Sequence, residues 1–248
     1  MKFSIITVVK NDKDNIQKTI NSVKNQIFKN FEYIIVDGNS NDGTSKIIKD
    51  NIKIKKEIKH IVKKDKNLYQ ALNYGIKIAK GEYIIILHSG DIFWNRNILK
   101  IIHESINDYD AISGNVLYVS KKKLSRYWKY EIDNLNKYNC FKIAHTSLVV
   151  KKKIINKLKN YNIKYNISSD TDFIIRLSLL KNLKFKYINK TFTIMKTGGL
   201  SNSLNNLLKK ILQDLKIYQK HFKEKFIFFY LYKLVYKFYK LITWKFSK

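Results

Sequence analysis

The chain has 248 residues, carries 49 Lys and Arg against 19 Asp and Glu for a formal net charge of +30, and contains no proline and one cysteine, Cys140. This length accommodates one domain with a full α/β core, and a lone cysteine excludes an intramolecular disulfide and a cysteine metal cluster. The basic residues are mostly lysines dispersed along the chain, which favours anionic partners such as nucleotides or an acidic membrane face over a nucleic-acid-binding stripe.

Met1–Ile5 enters a strand at once with no signal peptide before it, so the body of the protein is expected in the cytoplasm. Phe3 to Val9 is a β-branched apolar run, a buried strand closed by Lys10-Asn11-Asp12. Asp12 or Asp14 caps the next helix, whose apolar positions Ile16, Ile20 and Val23 recur at helical spacing. Phe31 to Val36 is a second buried strand. It ends in Asp37-Gly38-Asn39-Ser40-Asn41-Asp42-Gly43-Thr44, and a short helix follows from Ser45 to about Asn51. Ile58 to Val62 is a third strand, ending at Lys63-Lys64-Asp65. Leu68 to Ala79 is helical, and Gly81 stops it.

Tyr83 to Leu87 is unbroken and apolar, which suits the middle of a parallel sheet. Ser89-Gly90-Asp91 follows, so one carboxylate stands just past the strand's carboxyl end. Strand and helix alternate four times in about the first hundred residues, which argues a mostly parallel central sheet with helices on both faces. In such sheets ligands bind outside the carboxyl ends of the strands. Thr7 to Asn11, Asp37, Asp65 and Asp91 all fall on that edge. A single Asp after a strand is usually a cap or turn former; three at successive strand ends are expected to converge on one site.

The second half is less regular. Ile98 to Ile106 is a helix, and Ala111 to Val119 a strand expected to join the sheet edge. Ser120 to Asn139 is basic and aromatic without a clear period. Phe141 to Val150 reads as a strand interrupted by His145-Thr146-Ser147, Ile154 to Leu158 as a helix, and Ser168-Ser169-Asp170-Thr171-Asp172-Phe173 as a helix start. Asp170 and Asp172 sit two residues apart there, about 200° around a helix, so only one of them can face the crevice. Phe185 to Met195 is a strand, followed by the flexible stretch Thr197-Gly198-Gly199-Leu200-Ser201. The tail, 204–248, is expected to be helical and distinct from a domain spanning 1–203. Leu204, Leu207, Leu208, Ile211, Leu212, Leu215 and Tyr218 mark one amphipathic helix. Phe226 to Phe246 is aromatic and aliphatic, with Lys233, Lys237 and Lys240 on one side. That segment is long enough to span a bilayer, but its lysines favour a helix lying in the interface with the ammonium groups at the lipid headgroups, against the alternative of a core helix packed on the domain.

These residues resemble glycosyltransferase family 2, with the GT-A fold, and within it the bacterial subgroup that builds surface polysaccharides. The resemblance covers roughly residues 3 to 201 and rests on Phe3 to Val9, Asn11, Val36 to Thr44, Asp65 to Gly75, Gly81 to Asp91, His145, Ser168 to Phe173 with Arg176-Leu177, and Gly198 to Ser201. It implies an inverting, metal-dependent enzyme that moves a sugar from a nucleotide-diphosphate sugar to a hydroxyl of a lipid-linked glycan, peripheral at the inner face of the cytoplasmic membrane. Thr7, Val8, Val9 and Asn11 would line the nucleotide pocket. Asp37 would bond the base, with Asp65 and Asn73 near the base and ribose. Ser89 and Gly90 would flank Asp91, the last position of the family's Asp-x-Asp motif and the ligand of Mg²⁺ or Mn²⁺. His145 would be a further metal or phosphate contact, or a buried, hydrogen-bonded structural histidine. Asp170 stands where the family has its general base. Ser89 replaces the motif's first Asp, Ser169 the family's acid before the base, and Asn67 a Gly after Asp-Lys. A nucleotidyltransferase is disfavoured because Lys10-Asn11-Asp12-Lys13-Asp14 contains no Gly for a phosphate loop. A non-catalytic basic module is disfavoured by the dispersed lysines.

Overall fold

A computed structural model of the chain describes residues 1–54, 58–120, 123–197 and 204–246. Residues 198–201, expected to be flexible, lie outside the described residues. Among the described residues nine strands form one sheet: β1 (Phe3–Val9), β2 (Phe31–Asp37), β3 (Ile58–Val62), β4 (Tyr83–Ile86), β5 (Ile92–Phe93), β6 (Ala111–Ser120), β7 (Lys123–Trp128), β8 (Leu148–Lys151) and β9 (Phe185–Lys196). The helices are α1 (Lys13–Lys24), α2 (Thr44–Ile54), α3 (Leu68–Ile78), α4 (Ile98–Ile106), α5 (Lys152–Lys157), α6 (Ser169–Ser178), α7 (Leu204–Phe222) and α8 (Phe226–Phe246).

The sheet order is β3-β2-β1-β4-β8-β6-β9-β5, with β7 paired to β6. The pairs β3·β2, β2·β1 and β1·β4 are parallel, as right-handed βαβ crossovers require. From β4 onward the sheet is mixed: β8 runs antiparallel to both β4 and β6, and β9 runs parallel to β6. The uninterrupted apolar strands divide their side chains by parity. Ile6, Val8, Ile34, Val36, Ile84 and Ile86 face a core shared with α3, α6, α7 and α8. Phe3, Ile5, Tyr33, Ile35, Tyr83 and Ile85 face a second core with α1 and α4. All seven residues of β1 are buried, which is why this strand reads as hydrophobic without alternation.

Three expectations about the second half change. β6 is an interior strand between β8 and β9, because β8 inserts between it and β4. The expected strand from Phe141 is instead two short 3₁₀ turns, Cys140–Lys142 and His145–Ser147, and only Leu148–Lys151 pairs in the sheet. The basic aromatic stretch contributes β7, whose Arg126 lies over the rings of Tyr118 and Trp128.

The tail helices form. The inward stripe of α8 is Phe229, Tyr230, Lys233, Tyr236, Lys237 and Lys240, at three- and four-residue spacing. Phe229 stacks on Phe222 of α7 at 4.3 Å between centroids, and Tyr236 meets Trp128 and Phe141 edge-on. The lysines expected at lipid headgroups therefore face the protein. Lys233 is buried and pairs with buried Asp214 at 2.7 Å, with the rings of Tyr218 and Tyr230 beside it. Burial, with the like charges of Lys233 and Lys210 nearby, brings Lys237 down to about 7. What α8 turns outward is apolar: Ile227, Phe228, Leu231, Leu234, Val235 and Phe238 are exposed, beside exposed Leu207, Leu208, Ile211 and Leu212 of α7.

Candidate active site

The carboxyl ends of β1, β2, β3 and β4 share one edge because the strands are parallel and in register, Val9 opposite Asp37 and Asp37 opposite Val62. Thr7 is buried there and donates to the Leu87 carbonyl at 2.6 Å, tying the end of β1 to that of β4; Val8 and Val9 are buried beside it. After Leu87 the chain makes a turn in which the Asp91 amide bonds the His88 carbonyl at 3.0 Å. Gly90 adopts φ +92°, a backbone state that a side chain rarely tolerates. Thr19 of α1 clamps this turn, accepting from the Gly90 amide and donating to the Asp91 carbonyl.

Asp91 is only 4% exposed. Its Oδ1 accepts from the Lys196 amide at the end of β9, and among the described residues its Oδ2 has no hydrogen-bond partner. Burial pushes this carboxyl up to about 8; the Lys196 amide works against the rise and the charge of Asp12 adds to it. Asp12 occupies the position before α1 but does not cap it, contrary to expectation. Its Oδ2 accepts from Ser89 Oγ at 2.7 Å, and its Oδ1 accepts from Asn15 Nδ2.

The opposite wall comes from α6 and α3. Asp170 lies in the first turn of α6, half-buried. Its Oδ1 accepts from the Thr171 amide at 2.8 Å and from the Tyr69 hydroxyl at 3.3 Å. Tyr69 stacks on Tyr161, which stacks on Phe173, so an aromatic column carries the group that holds Asp170. His145 Nε2 meets the Tyr161 hydroxyl at 2.7 Å, and the His145 ring lies 5.9 Å from that of His88. Burial, and then the neighbouring His145, lowers His88 to about 4. Burial raises the pKa of Tyr118 on β6, the neighbouring Arg126 works against the rise, and the charges of Asp91 and Asp170 add to it more weakly.

Asp172 is fully buried. Its carboxylate takes Arg176 Nε at 2.7 Å and His221 Nε2 at 2.8 Å, which joins α6 to α7. Of the two acids at this helix start, Asp170 is the accessible one.

The remaining site residues are placed differently. Asp37 is fully buried, and its oxygens accept from the Ser40 amide and hydroxyl, Ser45 Oγ and His60 Nε2. Its carboxylate shapes the loop after β2. Asn11, at φ +51°, closes that loop from the other side: its amide donates to Ser40 Oγ and its Oδ1 accepts from the Asn41 amide. Asp65 pairs with Lys63 at 3.1 Å and leaves Oδ2 without a partner. Asn73 spends its amide on the main chain of Tyr161, in both directions, which fixes the aromatic column. Asp65 and Asn73 also line an open cleft with Lys63, Gln70, Lys77 and Lys152. Asp12, Tyr69, Tyr161 and His88 escape a site reading of the sequence; Tyr69 falls within the segment that carries the resemblance, but only its contact with Asp170 marks it.

The resemblance implies a divalent cation, and the residues fit one. Asp91 presents a buried carboxylate oxygen without a partner among the described residues. Among the described residues no three His, Cys, Asp or Glu side chains gather into an all-protein cage. Mg²⁺ typically takes one or two carboxylates and completes its shell with water and substrate phosphates, so a sparse protein donor set suits it.

The chain is 30% identical over 235 residues to an uncharacterised glycosyltransferase of Methanocaldococcus jannaschii, covering 90% of this chain and 80% of the relative. It is 25% identical over 213 residues to a PGL/p-HBAD biosynthesis glycosyltransferase of Mycobacterium bovis, covering 82% of this chain and 80% of that protein. Among solved structures, S. aureus TarS residues 1–349 in complex with UDP-GlcNAc matches with a TM-score of 0.73 at 18% identity, over 89% of this chain and 67% of that one. The mannosyltransferase PcManGT of Pyrobaculum calidifontis, in complex with GDP-Man and Mn²⁺, matches with a TM-score of 0.65 at 12% identity; this chain spans 64% of its length. These two likenesses show the shared GT-A fold. The sequence profile of glycosyl transferase family 2 matches residues 4–183, and the chain belongs to that family.

Proposed function

We propose that the protein transfers a glycosyl group, with inversion, from a nucleotide-diphosphate sugar to a hydroxyl of a lipid-linked surface glycan, in a metal-dependent reaction at an anionic membrane face. The observation that carries the reading is Asp170: a half-buried carboxylate in the first turn of α6, fixed through one oxygen by Tyr69 and the Thr171 amide. Tyr69 and the Thr171 amide hold Oδ1, which leaves Oδ2 to take a proton. Asp170 accepts the proton of the acceptor hydroxyl as that oxygen forms a bond to the anomeric carbon. The bond from that carbon to the diphosphate oxygen breaks on the opposite face, and the nucleoside diphosphate leaves with its electron pair. A divalent cation bound at Asp91 would neutralise charge on the departing diphosphate. Lys196, whose ammonium bonds Asn15 beside Asp12, and Arg126 over Tyr118 add positive charge near that end.

The donor class is supported by the UDP-GlcNAc and GDP-Man complexes of proteins with this fold. The membrane face is supported by the exposed apolar surface of α7 and α8. That surface is larger than scattered apolar residues would give, and exposed Lys209, Lys216, Lys220, Lys223 and Lys225 stand along the same helices and their turn. No helix among the described residues is long and apolar enough to cross a membrane, so the surface would bind flat. Incubation with a panel of nucleotide sugars and Mn²⁺ or Mg²⁺, read as nucleoside diphosphate release, tests the reading. Release in the parent protein and none in Asp170→Asn is expected; turnover that survives the substitution refutes the assignment of the base.

A further inference from the structure

We propose that Asp12 supplies the second carboxylate of the cation site, taking in space the part that Ser89 gives up in the motif; this rests on the metal-dependent reading above. An Asp at a helix N-terminus ordinarily accepts from the backbone amides of the first turn, which contributes about 1 kcal/mol. Asp12 makes no such bond. Its backbone is held by Thr44 Oγ1, which accepts from the Asp12 amide at 2.9 Å, and its carboxylate turns instead to the end of β4. There Oδ2 accepts from Ser89 Oγ at 2.7 Å. At that separation positions 12 and 89 have room for one carboxylate, since two in hydrogen-bond distance repel unless they share a proton. A serine at 89 is therefore what an acid at 12 requires.

A second observation points to a cation. Asp91 is buried, its Oδ2 takes no hydrogen bond among the described residues, and the charge of Asp12 reaches it. Among the described residues neither acid has a Lys, Arg or His partner, although elsewhere in this chain buried carboxylates such as Asp172 and Asp214 do. Two neighbouring carboxylates without a cation form an unfavourable arrangement that a divalent ion resolves.

The test is Mn²⁺ binding to the full chain, with the metal alone as probe, read from the electron paramagnetic resonance signal of free Mn²⁺. Asp12→Asn is expected to weaken binding by ~10-fold or more, and adding Ser89→Asp to that variant to restore it to within ~3-fold, because the carboxylate returns from the neighbouring position. Unchanged Mn²⁺ affinity in Asp12→Asn, with binding lost in Asp91→Asn, overturns the role of Asp12 and leaves the metal reading standing. A parent chain that binds no Mn²⁺ overturns both. If thermal unfolding shows Asp12→Asn to be misfolded, Asp12→Glu decides: retained binding supports the proposal, and a folded Glu variant that binds no Mn²⁺ refutes it.

Discussion

Asp170 and Asp172 are two residues apart on α6, and their surroundings differ: Asp170 is half-buried, while Asp172 is fully buried between Arg176 and His221. Asp172→Asn removes a fully buried charge from Arg176 Nε at 2.7 Å and His221 Nε2 at 2.8 Å. Removing one partner of a buried ion pair destabilises by about 3–5 kcal/mol. Arg176 and His221 are partly solvated and an amide oxygen still accepts one bond, so about 3 kcal/mol is expected, a fall in Tm of roughly 6–12 °C for a chain of this size. Asp170→Asn touches only the Tyr69 hydroxyl and the adjacent amide, so its Tm should stay within about 2 °C while kcat falls ~10²–10⁴-fold. The two effects are read by differential scanning fluorimetry and nucleoside diphosphate release on the same samples. The pH dependence gives an independent check. Burial raises the Asp172 carboxyl, but the bond from His221 and the charge of Arg176 outweigh it and hold the group below its ordinary value of 3.8. A depressed folded-state pKa contributes stability that is full above the unfolded value and is lost as pH falls through the folded one. The Tm gap between the parent and Asp172→Asn should therefore be constant above about pH 5 and close below pH 4. A stable, inactive Asp172→Asn beside an active Asp170→Asn would show that the helix register has been read backwards.

Lys233→Met should destabilise by about 3 kcal/mol, because it strands the Asp214 carboxylate in the core, whereas Lys233→Met with Asp214→Leu should recover most of that loss in urea titrations. A chain ending at Phe222 should lose co-sedimentation with vesicles containing anionic lipid. It exposes the α7 face that α8 covers, so its solubility should also fall; equal sedimentation of both chains would assign the outward face of α8 to a partner protein. Gly81→Ala should lower Tm strongly, since its Cβ would lie 2.4 Å from the backbone of Phe3 and Ser4, and circular dichroism melts report it.

What the sequence determined by itself is the alternating first half. Unbroken β-branched runs can only be strands covered on both faces, and a parallel sheet must present its polar strand ends on one edge. The positions of Asp37 at the end of β2 and of Asp65 and Asp91 beyond β3 and β4 followed from that rule, and the helix-start pattern put Asp170 in the first turn of α6. Tertiary structure decided whatever depended on a partner distant in the chain. The order of strands beyond β4 put β6 in the interior, since the local pattern of Ala111 to Val119 says that it is buried but not between which neighbours. Asp12 looks like a cap in the sequence, and only the tertiary structure brings its carboxylate to Ser89, 77 residues away. The tail shows the limit most clearly. Helical spacing put Lys233, Lys237 and Lys240 on one stripe, but nothing in a periodic pattern says which stripe is covered. Asp214 on α7 pairs with Lys233 and holds that stripe inward, and Phe228 and Phe238 of α8 are left facing out, because an unpaired buried carboxylate costs more than apolar surface exposed to water.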